Sequence, residues 1–152
     1  MKEIKDKIYD ILDEDVTLRA LTGWTLVDTR IYLEWPPEPI PLTVLLPAYL
    51  TLDFMDPAPM DMTTYVQPVQ YPDEVVEINV WTNGDLLRDA IAERINVLFW
   101  QKKDTEIWTD AIRIMHVIQE SQEDIQDIHE GTGQIIYWRK YIRLRMEEVY
   151  KL

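Results

Sequence analysis

The stretch from Tyr71 to Trp100, YPDEVVEINVWTNGDLLRDAIAERINVLFW, constrains the fold more than any other part of the chain. Val76, Ile78 and Val80 alternate with Glu77, Asn79 and Trp81. A period of two in β-branched and aromatic residues predicts a half-buried strand. Thr82-Asn83-Gly84-Asp85 breaks the pattern. Thr82 or Asn83 can cap a helix, and Asp85 suits a first turn beside the helix dipole. Leu87, Ala90, Ile91, Arg94, Ile95 and Leu98 then recur at helical spacing. A strand running straight into an amphipathic helix needs a sheet for the helix to lie on, and the remaining segments must supply it.

They do so in order. Residues 2–13 place Ile4, Ile8, Ile11 and Leu12 on one helical face. Asp15 or Thr17 can cap a second short helix, Val16 to Leu21, which Gly23 ends. Thr29 to Trp35 reads as a strand closed by Pro36, Pro37, Pro39 and Pro41. Ala48 to Phe54 reads as another. Residues 56–72 hold four prolines and little periodicity. They predict a long loop, and in a functional role an arm carrying Met60, Met62 and Tyr65 that orders on a partner. Ala111 to Gln122 reads as a strand apolar on both sides, so central in the sheet or covered on both faces. Glu120 to Glu130 carries five acids and no base, and reads as a solvated acidic loop before the Gly131-Thr132-Gly133 turn. Residues 139–149 alternate as a closing strand, with a terminal helix as the alternative. The expected fold is a single α+β domain over residues 1–152. Its mainly antiparallel sheet has about four to five strands, with an N-terminal helix and a central amphipathic helix packed on it.

Composition narrows the functional classes. The chain has no cysteine, which excludes disulfides, thiolate metal sites and thiol nucleophiles. No apolar run reaches the length of a membrane span. Met1-Lys2-Glu3 leads straight into the amphipathic pattern, so no secretory signal is expected and the setting is a cytoplasm. A net charge of −13 opposes binding to nucleic acid or anionic membranes. Six tryptophans and eight tyrosines suit a core and also protein interfaces.

A search for reactive groups yields little. Ser121 is the single serine and sits in no nucleophile motif. His116 lies in an apolar strand. His129 neighbours Asp124, Asp127 and Glu130 without the spacing of a known metal motif, so neither metal nor cofactor is expected. Arg139, Lys140, Arg143 and Arg145 form the one basic cluster. Glu120, Glu123, Asp124 and Asp127 are its natural counterpart, either within the fold or on a neighbouring copy. The second arrangement suits head-to-tail association into a ring.

Taken together, Leu18-Arg19-Ala20-Leu21 before a glycine, Arg30-Ile31-Tyr32 before prolines, Ala48-Tyr49-Leu50-Thr51-Leu52, the Val76–Trp81 strand with its helix, and the Arg/Tyr-rich closing strand resemble one family. It is the tail terminator, or tail completion, proteins among the minor tail proteins of long-tailed bacteriophages. The Pro-rich 36–72 region departs from that pattern. The resemblance implies a non-enzymatic virion subunit, assembled in the host cytoplasm and placed at the head-proximal end of the tail. Six copies would form a ring that stops tail tube polymerisation. The ring would meet the tail tube protein on one side and a head–neck connector on the other, with DNA passing through it unread. Its contact residues would include the basic and acidic clusters and the 56–72 arm. A head-closure or neck connector protein is the alternative, and an acidic DNA-mimic inhibitor a more distant one.

Overall fold

A computed structural model describes residues 2–33, 40–55, 70–71, 74–102, 112–128, 131 and 135–151. The order is α1 (Lys2–Asp13), α2 (Val16–Thr22), β1 (Ile31–Tyr32), β2 (Ala48–Met55), β3 (Gln70–Tyr71), β4 (Glu74–Thr82), α3 (Asp85–Lys102), β5 (Ile112–Ile128) and β6 (Ile135–Lys151). The strands form one sheet in which β2, β4, β6 and β5 lie side by side, all antiparallel. β1 joins the β2 edge in parallel, and β3 pairs with the far end of β6. The fold is therefore α+β, as the sequence predicts.

Strand parity divides the sheet. Leu50, Leu52, Val76, Ile78, Val80, Ile142, Leu144 and Met146 point to one side and are buried. There they meet Ile4, Ile8 and Leu12 of α1, Leu18 of α2, and Ile91, Ile95 and Leu98 of α3 in a single core. Burial of each such side chain contributes about 1.5–3 kcal/mol. The helical faces are close to those expected, with shifts. Leu18 and Trp24 are core residues, while Leu21 and Leu87 are half-buried. The side chain of Ile114 lies outside the described residues.

α2 is built as its sequence signals. The Asp15 carboxylate accepts from the Leu18 backbone N–H at 2.7 Å. Gly23 ends the helix at φ 73° and its N–H donates to the Arg19 carbonyl. Arg94 of α3 grips the same Asp15 carboxylate through Nε at 2.9 Å and Nη2 at 2.7 Å. One side chain thus caps one helix and ties it to another.

Several assignments differ from expectation. Gln70–Tyr71, within the stretch expected to be loop, pairs with β6 as β3. Among the described residues β5 pairs with β6 alone, so it is not the central strand its apolar first half suggests. β1 is only two residues long, with residues 34–39 outside the described set. The acidic Glu120–Asp127 stretch is not a loop but the second half of β5. It lacks an apolar alternation because β5 is an edge strand whose side chains pair with charges on β6 rather than with a core. The Arg/Tyr-rich terminus is strand from Ile135, not helix, because it lies between β4 and β5 and bonds to both. Sheet pairing there overrides the helix propensity of Arg, Leu and Met.

Candidate functional site: the paired charges and aromatic face of the sheet

The basic cluster sits on β6 and is split by its parity. Lys140 points toward the helices, whereas Arg139, Arg143 and Arg145 point to the opposite face with Tyr137 and Tyr141. On the helix side, Lys140 Nζ lies 3.0 Å from Asp89 Oδ1 of α3 and 3.2 Å from Asp124 Oδ1 of β5. Arg88 completes a square, 3.0 Å from Asp89 and 3.6 Å from Asp124, with its guanidinium 5.7 Å from the Trp138 ring centre. Both cations are buried, and two acids balance them. Hydrogen bonds from Arg88 and then Lys140 hold the Asp89 carboxyl below the usual carboxylate range.

On the far face, Arg143 Nε lies 3.1 Å from Glu120, and Arg145 contacts the same carboxylate. A register irregularity between Gln119 and Ser121 places Glu120 where it reaches both arginines. Arg139 Nε lies 3.3 Å from Asp127, and its guanidinium stands 4.6 Å from the Trp81 ring centre. The Tyr141 hydroxyl donates to Glu77 at 2.8 Å, and burial, then that bond, pushes its pKa up. Of the two arrangements open from sequence, the structure shows the internal one: acids of β5 pair with bases of β6 inside one subunit. Glu123 is exposed opposite Tyr141. Met60, Met62, Tyr65 and His129 lie outside the described residues.

Beyond Arg139 is an aromatic cluster that sequence reasoning missed. Tyr49 and Trp81 stack at 5.5 Å with an 8° interplanar angle, and Tyr137 stands edge-on to both. Tyr32, Ile40 and Leu42 pack against them. The Trp81 indole N–H donates to Thr51 Oγ1 at 3.0 Å, and the Tyr137 hydroxyl donates to the Ile40 carbonyl at 3.1 Å. Burial raises the pKa of both Tyr49 and Tyr137, so the phenols stay neutral donors at ordinary pH. The available signal was Trp81 itself, a large aromatic on the polar side of an alternating strand. The three rings are buried and form a small second core on this face. The ion pairs of Arg143 and Arg145 with Glu120 stay partly exposed, and they are the part of this face that can meet another protein.

Among the described residues no group of three or more His, Asp or Glu is placed to hold a metal ion, and no helix is long and apolar enough to cross a membrane. Between α3 and β5 lies a cleft of about 370 Å³, floored by Phe99, Val117 and Leu144, with Val97 at its lip and Glu93, Asn96 and Gln119 at its rim. No protein-family model matches this chain. No curated protein matches it either.

Proposed function

We propose that this chain is a structural virion subunit, a tail terminator of a long-tailed phage. Copies of it would form a ring, six by the family's pattern, that caps the tail tube, stops its polymerisation and offers a surface to the neck. The observation that carries the reading is the arrangement of the segments on which the resemblance rests. The Val76–Trp81 strand, its following helix, the Ala48–Leu52 strand and the Arg/Tyr-rich terminus are consecutive neighbours in one sheet, with the helices on one side. The opposite side carries the partly exposed ion pairs of Arg143 and Arg145 with Glu120, a surface suited to contact with protein.

The test is tube growth. Tail tube protein polymerised with increasing amounts of this chain should give progressively shorter tubes, each ending in extra density. Tubes of unchanged length at saturating chain would overturn the proposal. In that event, binding to isolated connector rings would point to the neck protein reading.

A further inference from the structure

One end of the subunit is apolar and carries no net charge in a chain of net charge −13, its exposed Asp28 lying 3.8 Å from Arg30. Two turns form it. The Thr25–Asp28 turn exposes Leu26 by 87% and Val27 by 96%, and the loop before β2 exposes Val44 by 92% and Leu45 by 83%. Residues 20–31 and 40–48 hold only one acid, Asp28, and one base, Arg30. Paired exposed aliphatics on adjoining turns are unusual for a solvated surface, which normally scatters them singly.

These turns are mounted rigidly. Arg19 donates to the Thr25 carbonyl at 2.7 Å, to Thr29 Oγ1 at 3.1 Å and to the Asp13 carbonyl at 2.6 Å. Trp24 Nε1 donates to the Ala48 carbonyl at 3.0 Å. The two turns also adjoin, since a Cβ on Gly23 would lie 2.6 Å from the Leu45 carbonyl oxygen. An apolar knob held this way loses little entropy on docking.

The same subunit carries a matching recess. The α3–β5 cleft, at about 370 Å³, is within the range of sites that bury a ligand or an inserted side chain. Its floor is apolar, its lip residue Val97 is 38% exposed, and Asn96 Oδ1 is buried without a hydrogen bond from the described residues. The knob is anchored beside the start of α3, where Asn83 N–H donates to the Pro47 carbonyl at 3.2 Å. The cleft is lined by Asn96 to Phe99, more than three helical turns further on, roughly 20 Å away. The Val44–Leu45 loop therefore lies away from the cleft of its own subunit.

We propose that the apolar, net-neutral end bearing Leu26, Val27, Val44 and Leu45 docks head to tail into the α3–β5 cleft of a second copy of this chain. Charge favours this occupant. The cleft borders Glu93 and the acidic half of β5, so an acidic knob would be repelled and a neutral one is admitted. A lipid surface is disfavoured because no basic cluster flanks the turns. Knob and cleft are different surfaces, so the contact is heterologous and closes into a ring when the rotation permits. The inference deepens the ring-subunit reading above and rests on it for the ring.

The experiment is sedimentation of the purified chain across concentration and salt, with two variants at exposed positions. Leu26→Asp/Val27→Asp disables the knob. Val97→Glu/Gln119→Trp disables the cleft, with Val97→Glu alone as the substitute if the tryptophan disturbs melting. Each should melt like the parent and weaken self-association about tenfold or more. A 1:1 mixture should give dimers and nothing larger, because one intact knob meets one intact cleft. Parent association should strengthen with salt as the mutual repulsion of acidic copies is screened. A cleft variant that assembles like the parent, a mixture that stays monomeric, or a parent monomeric throughout would overturn the proposal, as would knob-dependent binding to phosphatidylcholine vesicles in place of self-association. Chain that assembles this way yet leaves tubes uncapped would refute the terminator reading alone. Chain that caps tubes with both variants active would refute the docking alone.

Discussion

Asp15 ties the helical layer together at one point. Its carboxylate caps α2 through the Leu18 N–H at 2.7 Å and receives two bonds from Arg94 at 2.9 and 2.7 Å. Loss of an Asp N-cap costs about 1 kcal/mol. A hydrogen bond to a charged group contributes about 1.5–3 kcal/mol. Here Arg94 is 26% exposed and partly rehydrates when freed, so the lower figure applies. Asp15→Ala should therefore destabilise the fold by about 2–3 kcal/mol, a Tm drop of roughly 5–10 °C for a domain of this size. Asp15→Asn keeps a good cap and loses the charge, so it should cost about half as much. The assay is urea unfolding at pH 7 of the two variants, Arg94→Gln and the Asp15→Asn/Arg94→Gln pair. Coupling of about 1 kcal/mol is expected from the cycle. An Asp15→Ala protein within about 0.5 kcal/mol of the parent, the range of an ordinary surface change, would refute the reasoning.

Three more outcomes follow from the same geometry. Gly23→Ala places a Cβ in a left-handed backbone and 2.6 Å from a carbonyl oxygen, and should lower stability by about 2 kcal/mol on thermal melting. The pKa values of Asp15 and Asp89 are lowered, chiefly by Arg94 and Arg88 respectively, so their stabilisation is complete above the unfolded carboxyl value of about 4 and is lost as pH falls through the folded values. The pKa values of Tyr49 and Tyr137 are raised by burial, so their contribution is complete below about pH 10 and is lost above it. Tm measured by circular dichroism should thus be flat from about pH 5 to 9 and fall on both sides. Arg143→Glu/Arg145→Glu should leave a folded chain weakened by about 1–2 kcal/mol, because Glu120 then faces like charges, and adding Glu120→Lys should restore urea stability.

Sequence periodicity read the succession of β4 and α3, the Gly23 stop and a choice of Asp15 or Thr17 as the α2 cap, because each is local; it expected β4 half-buried, whereas Asn79 and Trp81 on its second face are buried as well. A cap needs only its own turn, and an alternating strand declares its faces. The acidic half of β5 was illegible for a definite reason. Its partners on β6 are Arg139, Lys140, Arg143 and Arg145, a dozen or more residues away, and without a known register a run of acids looks like solvated loop. The basic cluster was visible, but its division between two faces requires knowing that the segment is a strand. Glu120 reaches two arginines only through the irregularity at Gln119 and Ser121, which no pattern announces. The Tyr49–Trp81–Tyr137 cluster joins three strands and emerges only once their order is fixed. The knob and cleft were missed because one is a pair of short turns and the other a gap between α3 and β5.

The claim that copies of this chain close into a ring on a tail tube is tested most directly by electron microscopy of purified tubes incubated with the chain. One six-fold ring should stand at a single end of each tube, with no density along the sides. Bare tube ends beside monomeric chain, or chain bound along the tube wall, would contradict it.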